Sequence, residues 1–222
     1  MEKGNTKQKI LEAALDLFSV WGYEATSISQ IAGAVGIRKA SLYSHYAGKH
    51  EILDALVEYV MEQYDRHSIF ANADWDDPGF TKDKTVLCAE TAIRMIQGQI
   101  SYIVNDPLIC RSRKMLTIEQ FRNQELMALQ TKHNYEDVMK YFMGLMRFLV
   151  RQGILKDNDT EIMAAQLCLP ISVWINLCDR EPEREAEVME LIRRHVRQFF
   201  ELYQVKNRRR YAEQDKNSPG TG

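Results

Sequence analysis

Apolar residues recur at three- and four-residue intervals through nearly the whole of this chain, and strand-type alternation is almost absent. A chain patterned this way buries its apolar surface by packing helix on helix, so the fold class is all-α. Ile10, Leu11, Ala14, Leu17, Phe18 and Trp21 form the stripe of a first helix, capped by Asn5 or Thr6 and stopped at Gly22. Thr26 and Ser27 offer the N-cap of a second, with Ile28, Ile31, Ala32 and Val35 on one face and Gly36 as a left-handed stop. A short third segment spans Arg38 to Tyr46 and ends near Ala47-Gly48. A fourth helix carries Ile52, Leu53, Leu56, Val57, Val60, Met61 and Tyr64.

Further along, the pattern lapses into a loop over ANADWDDPGF, residues 71–80. Asp74, Asp76 and Gly79 have calcium-loop offsets, but Pro78 and Thr85 stand where such a loop needs an oxygen ligand and a glutamate, which excludes it. A long helix is expected from about Thr81 to Val104, and Asp106-Pro107 reads as an N-cap followed by proline at the first helical position. Leu108 to Lys132 is helical but broken. Tyr135 to Gln152 is amphipathic and closed by Gly153, and Asp157 or Asp159 caps the next helix, Thr160 to Cys178, which is apolar nearly all round. A last amphipathic helix covers about Glu183 to Gln204. After Val205 the chain turns polar, and residues 206–222 are expected to be a mobile basic tail carrying Arg208 to Arg210.

The 222 residues are 45% hydrophobic and 27% charged, an ordinary globular balance, and the formal net charge of −2 confines any nucleic-acid surface to a local patch. Cys88, Cys110, Cys168 and Cys178 form no CxxC pair and read as buried free thiols in a reducing compartment. The N-terminus lacks a signal-peptide core, and no run approaches about 18 consecutive apolar residues, so a soluble cytoplasmic protein without a membrane partner is expected. No nucleophile elbow, phosphate loop or paired metal ligands occur. The five histidines are scattered, and His133 with Glu136 is an isolated HxxE. The expectation is therefore no enzyme, no cofactor and no metal.

Two short helices joined through Gly36 need small residues at their crossing, and Ala32 and Ala34 qualify. The second carries Arg38, Lys39, Ser41, Tyr43, Ser44 and His45 on faces that packing does not require, and these are phosphate and base-edge donors. Thr26, Ser27 and Lys49 add donors near helix N-termini. Residues 1–50 hold six Lys/Arg (Lys3, Lys7, Lys9, Arg38, Lys39, Lys49) against four acids (Glu2, Glu12, Asp16, Glu24). Leu42 and Tyr46 are expected to pack the small core rather than touch DNA.

The run GYEATSISQIAGAVGIRKASLYSHYAGKHEIL resembles the DNA-binding domain of TetR-family transcriptional regulators. The matching features are Gly22-Tyr23, Thr26, Ile31-Ala32, Val35-Gly36, Leu42-Tyr43, His45-Tyr46, Lys49 and Ile52-Leu53, over about residues 6 to 55. Ala40, Ser44 and His50 depart from the usual pattern, which bears on the base sequence read. The resemblance implies an N-terminal three-helix helix-turn-helix domain, residues 1–48, and a C-terminal helical ligand-binding and dimerisation bundle, residues 49–205. It implies phosphate contacts from Tyr43, His45, Lys49 and Thr26, with Lys39 and Ser41 nearest base edges and Arg38 at the rim.

Double-stranded DNA would then be bound at a palindrome by a homodimer joined through the last two helices. The resemblance further implies a pocket for an unidentified small-molecule effector in the middle helices. Met95, Met146, Tyr102, Phe121, Phe142 and Trp174 are candidates for its lining. Pro170 bends its helix and leaves the Gln166 carbonyl unpaired, so Gln166 is expected to face the cavity. Glu90 is expected to pair with Arg94, four residues on. The leading expectation is a ligand-responsive repressor. The alternatives are an architectural DNA-binding protein of the same fold, or an all-helical enzyme or partner-binding bundle.

Overall fold

The computed structural model describes residues 3–67 and 89–205; the loop at 71–80, the first residues of the helix expected from Thr81, Cys88 and the Arg208–Arg210 tail lie outside them. Ten α-helices are described: α1 (Lys3–Trp21), α2 (Ile28–Val35), α3 (Lys39–Tyr43), α4 (Lys49–His67), α5 (Ala89–Asn105), α6 (Pro107–Glu119), α7 (Gln124–Thr131), α8 (Asp137–Arg151), α9 (Thr160–Arg180) and α10 (Glu185–Tyr203). A π-helical turn, Lys132–Glu136, leads into α8, and a 3-10 turn, Pro182–Arg184, leads into α10. No strand occurs among the described residues, only an isolated antiparallel bridge between Leu155 and Gln204.

Local chemistry sets most of the boundaries. Asp106 accepts from the backbone N–H groups of Leu108 and Ile109, both at 3.0 Å, with Pro107 at the first helical position of α6. Asp159, rather than Asp157, caps α9 by accepting from Glu161 and Ile162. Because α1 already runs from Lys3, positions 5 and 6 lie inside that helix rather than at its start. The third helix is shorter than its sequence pattern, stopping at Tyr43.

Two apolar cores result. The first is built on Ile10, Phe18, Ile31, Leu42, Tyr46 and Ile52 of the N-terminal helices, and Met115, Leu116 and Leu126 of α6 and α7 complete it. The second joins α5, α8, α9 and α10 through residues such as Ile100, Phe142, Leu149, Leu167, Val188 and Val196. By length and composition α9 could cross a membrane. It is instead packed in the helical bundle, carries Gln166, Ser172 and Asn176, and leaves Ile162, Leu169 and Val173 uncovered at 51%, 37% and 62% exposure.

Several pairings differ from the sequence pattern because neighbouring helices compete for side chains. Glu90 pairs with Arg197 of α10 at 2.5 Å, while Arg94 turns to Thr91. Pro170 does sit inside α9, but Gln166 faces α10, where its Oε1 accepts from the Tyr203 hydroxyl at 2.5 Å. A ring nitrogen of His195 lies 3.0 Å from the Leu167 carbonyl, beside the proline bend.

Candidate nucleic-acid interface and cavity

The turn between α2 and α3 is made by backbone chemistry before any partner is considered. Ser27 and Gln30 form a reciprocal capping box, the Ser27 side chain accepting the Gln30 N–H at 3.2 Å and Gln30 accepting the Ser27 N–H at 2.7 Å. At the other end Gly36 adopts φ +75°, which a side chain would strain, and the Ile37 N–H returns to the Ala32 carbonyl at 3.0 Å. Ala32 is buried at the crossing, whereas Ala34 is exposed and takes no part in it. Leu42 and Tyr46 are buried in the head's core.

This anchoring turns the opposite side of α3 outward. Arg38, Lys39, Ser41 and Tyr43 are exposed and His45 is half-buried, and among the described residues none of these side chains makes a hydrogen bond. Lys39 Nζ lies 6.0 Å from the Tyr43 ring centroid. The other four expected donors are already engaged. Thr26 is 2% exposed and its hydroxyl donates to the Gly22 carbonyl at 2.9 Å. The Ser27 hydroxyl donates to Gln30 at 2.8 Å, and the Ser44 hydroxyl donates to the Ser41 carbonyl at 2.7 Å. Lys49 Nζ donates to the Tyr23 carbonyl at 2.7 Å and sits 4.2 Å from the Tyr23 ring centroid, tying α4 to the α1–α2 turn.

A second feature lies between α4, α5, α6, α8 and α9: a cavity of about 220 Å³. Its wall includes Ile100, Ile103, Leu116, Phe142, Ile171 and Ile175, with polar groups from Gln99, Ser112, Arg113, His133, Asn134 and Asn176. Of the seven residues expected at a pocket, Phe142 lines it. Met146 is buried in the second core and Trp174 packs edge-on to His195. Tyr102 stacks beside His67, Gln166 faces α10, and Met95 and Phe121 point to solvent at 44% and 89% exposure. Periodicity locates a helix's apolar stripe but not which neighbour covers it.

The polar wall was the part missed by sequence reasoning. Arg113 is held bidentately by Asp179 of α9, with Nε to Oδ2 at 2.7 Å, and its Nη1 donates to the Ile103 carbonyl at 2.7 Å. Ser112 is occupied by the Leu108 carbonyl at 2.7 Å. Gln99 interrupts the apolar run Ile96, Ile100, Ile103 on α5, a signal visible in the sequence. Burial holds the His133 imidazole below its ordinary pKa, with Lys132 adding to the effect. Burial likewise pushes the Cys168 thiol up to about 11, so it stays protonated.

Cavity and head are joined through α6. That helix contributes Ile109, Ser112, Arg113 and Leu116 to the wall. At its end the buried Glu119 accepts the Tyr23 N–H at 2.8 Å, and a Cβ on Gly22 would lie 2.7 Å from the same oxygen. Arg111 pairs with Asp16 of α1. Elsewhere His50, Asp54 and Glu125 bring three ligand-type atoms within 4.8 Å; all are exposed, and an ordinary i,i+4 pair of His50 with Asp54 at 3.1 Å accounts for the grouping.

Comparison with known proteins bears on the N-terminal head and on the fold. Residues 10–56 match the family model of bacterial regulatory proteins, tetR family. Over 52 residues, 23% of this chain, the sequence is 48% identical to the biofilm operon icaADBC HTH-type negative transcriptional regulator IcaR of Staphylococcus epidermidis, and the matched segment spans 28% of that protein. The whole fold is similar to a TetR transcription regulator from Haloarcula marismortui, with TM-score 0.62 and 17% identity over 91% of this chain and 100% of that one. It is also similar to SmeT, the repressor of the Stenotrophomonas maltophilia multidrug efflux pump SmeDEF, with TM-score 0.61 and 18% identity over 90% and 91% of the two chains.

Proposed function

Since the chain belongs to the tetR family of bacterial regulatory proteins, we propose that it is a cytoplasmic transcriptional repressor that binds a palindromic operator as a homodimer and leaves it when a small molecule fills the cavity. The observation that carries this reading is the row of unengaged donors on α3, held outward by a helix-turn-helix. Among the described residues the side chains of Arg38, Lys39, Ser41, Tyr43 and His45 make no hydrogen bond or ion pair, and only Lys39 and Tyr43 approach each other, so they can exchange water for phosphate or base edges without breaking the fold. Lys39 and Ser41, in the first turn of α3, are the base readers. Thr26, Ser27 and Ser44 shape the head, and Lys49 braces it through the Tyr23 and Glu24 carbonyls, leaving one remaining N–H for phosphate.

A five-residue recognition helix reads few bases, so two heads on a twofold axis supply the length of an operator. The uncovered Ile162, Leu169 and Val173 of α9, with Leu202 at the end of α10, form the apolar face on which the mate would pack. Ligand entry would shift α6, and α6 carries the head through Glu119–Tyr23 and Arg111–Asp16. A rigid tilt transmitted this way changes the spacing of the two heads, and duplex DNA tolerates little change in half-site spacing.

The test is fluorescence-anisotropy titration of the purified full chain against duplexes tiled across the DNA upstream of its own and neighbouring genes. Saturable binding to one palindrome, with an affinity falling steeply in salt, is expected. Equal affinity for every duplex would replace the operator-binding repressor with a non-specific architectural protein.

A further inference from the structure

The cavity and the uncovered face of α9 meet along one edge. From α9 the wall takes Cys168, Ile171, Ser172, Ile175 and Asn176. Cys168 and Ile171 are buried, Ser172 and Ile175 half-buried, and Asn176 is exposed. The outward stripe of the same helix runs through Ile162, Gln166, Leu169, Val173, Asn176 and Arg180, all exposed. At about 100° per residue, Asn176 lies about 20° round the helix from Leu169 and about 40° from Ser172. It is therefore wall on one side and outward face on the other.

Asn176 also marks where the cavity reaches the surface. Of the described lining residues, Asn134 and Asn176 alone are exposed. A short connection, residues 152–159, turns the chain back so that α9 runs along α8, and Cys168 Sγ lies 3.6 Å from Met139 Sδ between them. The start of α8 thus runs beside the second half of α9. Asn134, in the π-helical turn before α8, falls at the same end of this helix pair as Asn176. The two asparagines bound one mouth, between that turn and α9.

Charge decides what suits the α9 face. Between Ile162 and Asn176 the stripe carries no charge, so it offers nothing to nucleic acid or to an anionic membrane surface. Arg180 closes it at one end, and the exposed Asp157, Asp159 and Glu161 stand at the other. A second α9 laid antiparallel, across a twofold axis midway between Leu169 and Val173, brings Arg180 of each copy toward the acids of the other. The face is complementary to itself, and its fitting occupant is a second copy of this chain.

We propose that the second copy closes the mouth of the cavity at Asn176, so that the site is complete only in the dimer, and ligand and dimer stabilise each other. This rests on the reading of the chain as a homodimeric, ligand-released repressor and deepens it. An apolar ligand beneath an open mouth keeps part of its surface in water, and the mate removes that surface together with its own stripe. Linkage makes the effect mutual. Release from the operator then follows from changed head spacing within an intact dimer, not from dissociation of the dimer.

The probe is toluene, uncharged and single-ringed, since a cavity of about 150 Å³ accepts benzene and this one has about 220 Å³. Isothermal titration compares the full chain, at concentrations where it is dimeric, with Val173→Glu and Ile162→Glu, whose substitutions lie on the stripe and outside the cavity wall. Toluene should bind the dimer at least about tenfold more tightly than either monomeric variant. With free toluene at about ten times the dimer's Kd, that difference tightens dimerisation of the unaltered chain by about thirtyfold in sedimentation velocity, the two cavities acting together. This measurement needs no variant, so a substitution that fails to fold does not remove the test. A further readout needs no probe: the thiol of Asn176→Cys should react with methyl methanethiosulfonate at least about tenfold more slowly in the dimer than when Val173→Glu is added.

Equal toluene affinity in the dimer and in the folded monomers overturns the proposal and leaves the repressor reading intact, as does equal thiol reactivity. Variants that stay dimeric place the mate elsewhere and overturn it. So does a dimer that binds no toluene, since it has no grip for the mate to complete. Weaker dimerisation in toluene, with operator release, replaces release from an intact dimer by dissociation and overturns it as well. An unaltered chain that stays monomeric at every concentration overturns both this proposal and the dimeric repressor.

Discussion

Replacing Asp179 by Asn should unsettle this protein more than any other change of similar size, because it strands a charge that the fold has buried. The Arg113 and Asp179 side chains are 10% and 11% exposed, so neither can return to water without opening the contact between α6 and α9. Unit charges about 4 Å apart at an effective dielectric near 20 attract by about 4 kcal/mol. Removing one partner of a buried pair costs about 3–5 kcal/mol, since the other is left unmatched. In a chain of this size each kcal/mol moves the melting temperature by about 2–4 °C, so Asp179→Asn should melt roughly 6–20 °C lower.

The double variant Arg113→Met with Asp179→Leu provides the control. It removes both charges and keeps the volume, and it should recover most of the loss. Urea denaturation followed by far-UV circular dichroism reads both variants. A loss below about 1 kcal/mol for Asp179→Asn, or a double variant as weak as the single one, would falsify the picture of a dry, charge-matched wall. Surviving Asp179→Asn protein should also bind benzoate better than the parent does, because Arg113 would then face the cavity unneutralised.

Four further outcomes follow from particular contacts. Val173→Glu places a charge on the uncovered face of α9 and should convert a dimer to a monomer in light scattering while lowering operator affinity; a variant that stays dimeric locates the interface elsewhere. Lys39→Ala or Ser41→Ala should relax base preference at a cost of about 1–3 kcal/mol, whereas Thr26→Val should leave the salt dependence of binding unchanged, because its hydroxyl already serves Gly22. Glu119→Ala leaves the Tyr23 N–H unmatched, costs about 1–3 kcal/mol of stability, and should weaken ligand-driven release more than operator binding itself. His133 is held below its ordinary pKa, so the unfolded chain takes up that proton first as pH falls. Stability present near neutrality should therefore decline below about pH 6.5, and His133→Asn should remove that part of the decline in melting temperature; an identical decline in both proteins overturns the assignment.

Legibility differed sharply along the chain, for reasons visible at single residues. The capping box of Ser27 and Gln30, the left-handed stop at Gly36 and the Asp106-Pro107 start of α6 each act within four residues, so they can be read in order. Side-chain partners across helices could not be read that way. Glu90 has Arg94 at the favourable spacing, yet it pairs with Arg197, 107 positions away, because α10 lies against α5. Thr26 has the chemistry of a phosphate donor and the burial of a core residue. Phe121 is as apolar as Phe142, but one sits in the turn after α6 and the other faces inward on α8.

The donor set of α3 and the helix-turn-helix that presents it are properties of local order. Cap, glycine and stripe act between near neighbours, and any chain containing that run is driven toward the same turn. The cavity has no such local origin. The charge of Arg113 in its wall is matched only where α6 meets Asp179 of α9, and its other polar groups come from Gln99 on α5 and His133 in the turn before α8. Those meetings exist only once α4, α5, α6, α8 and α9 have converged, because burial, and with it the cost of an unmatched charge or donor, is a property of the packed assembly rather than of any segment.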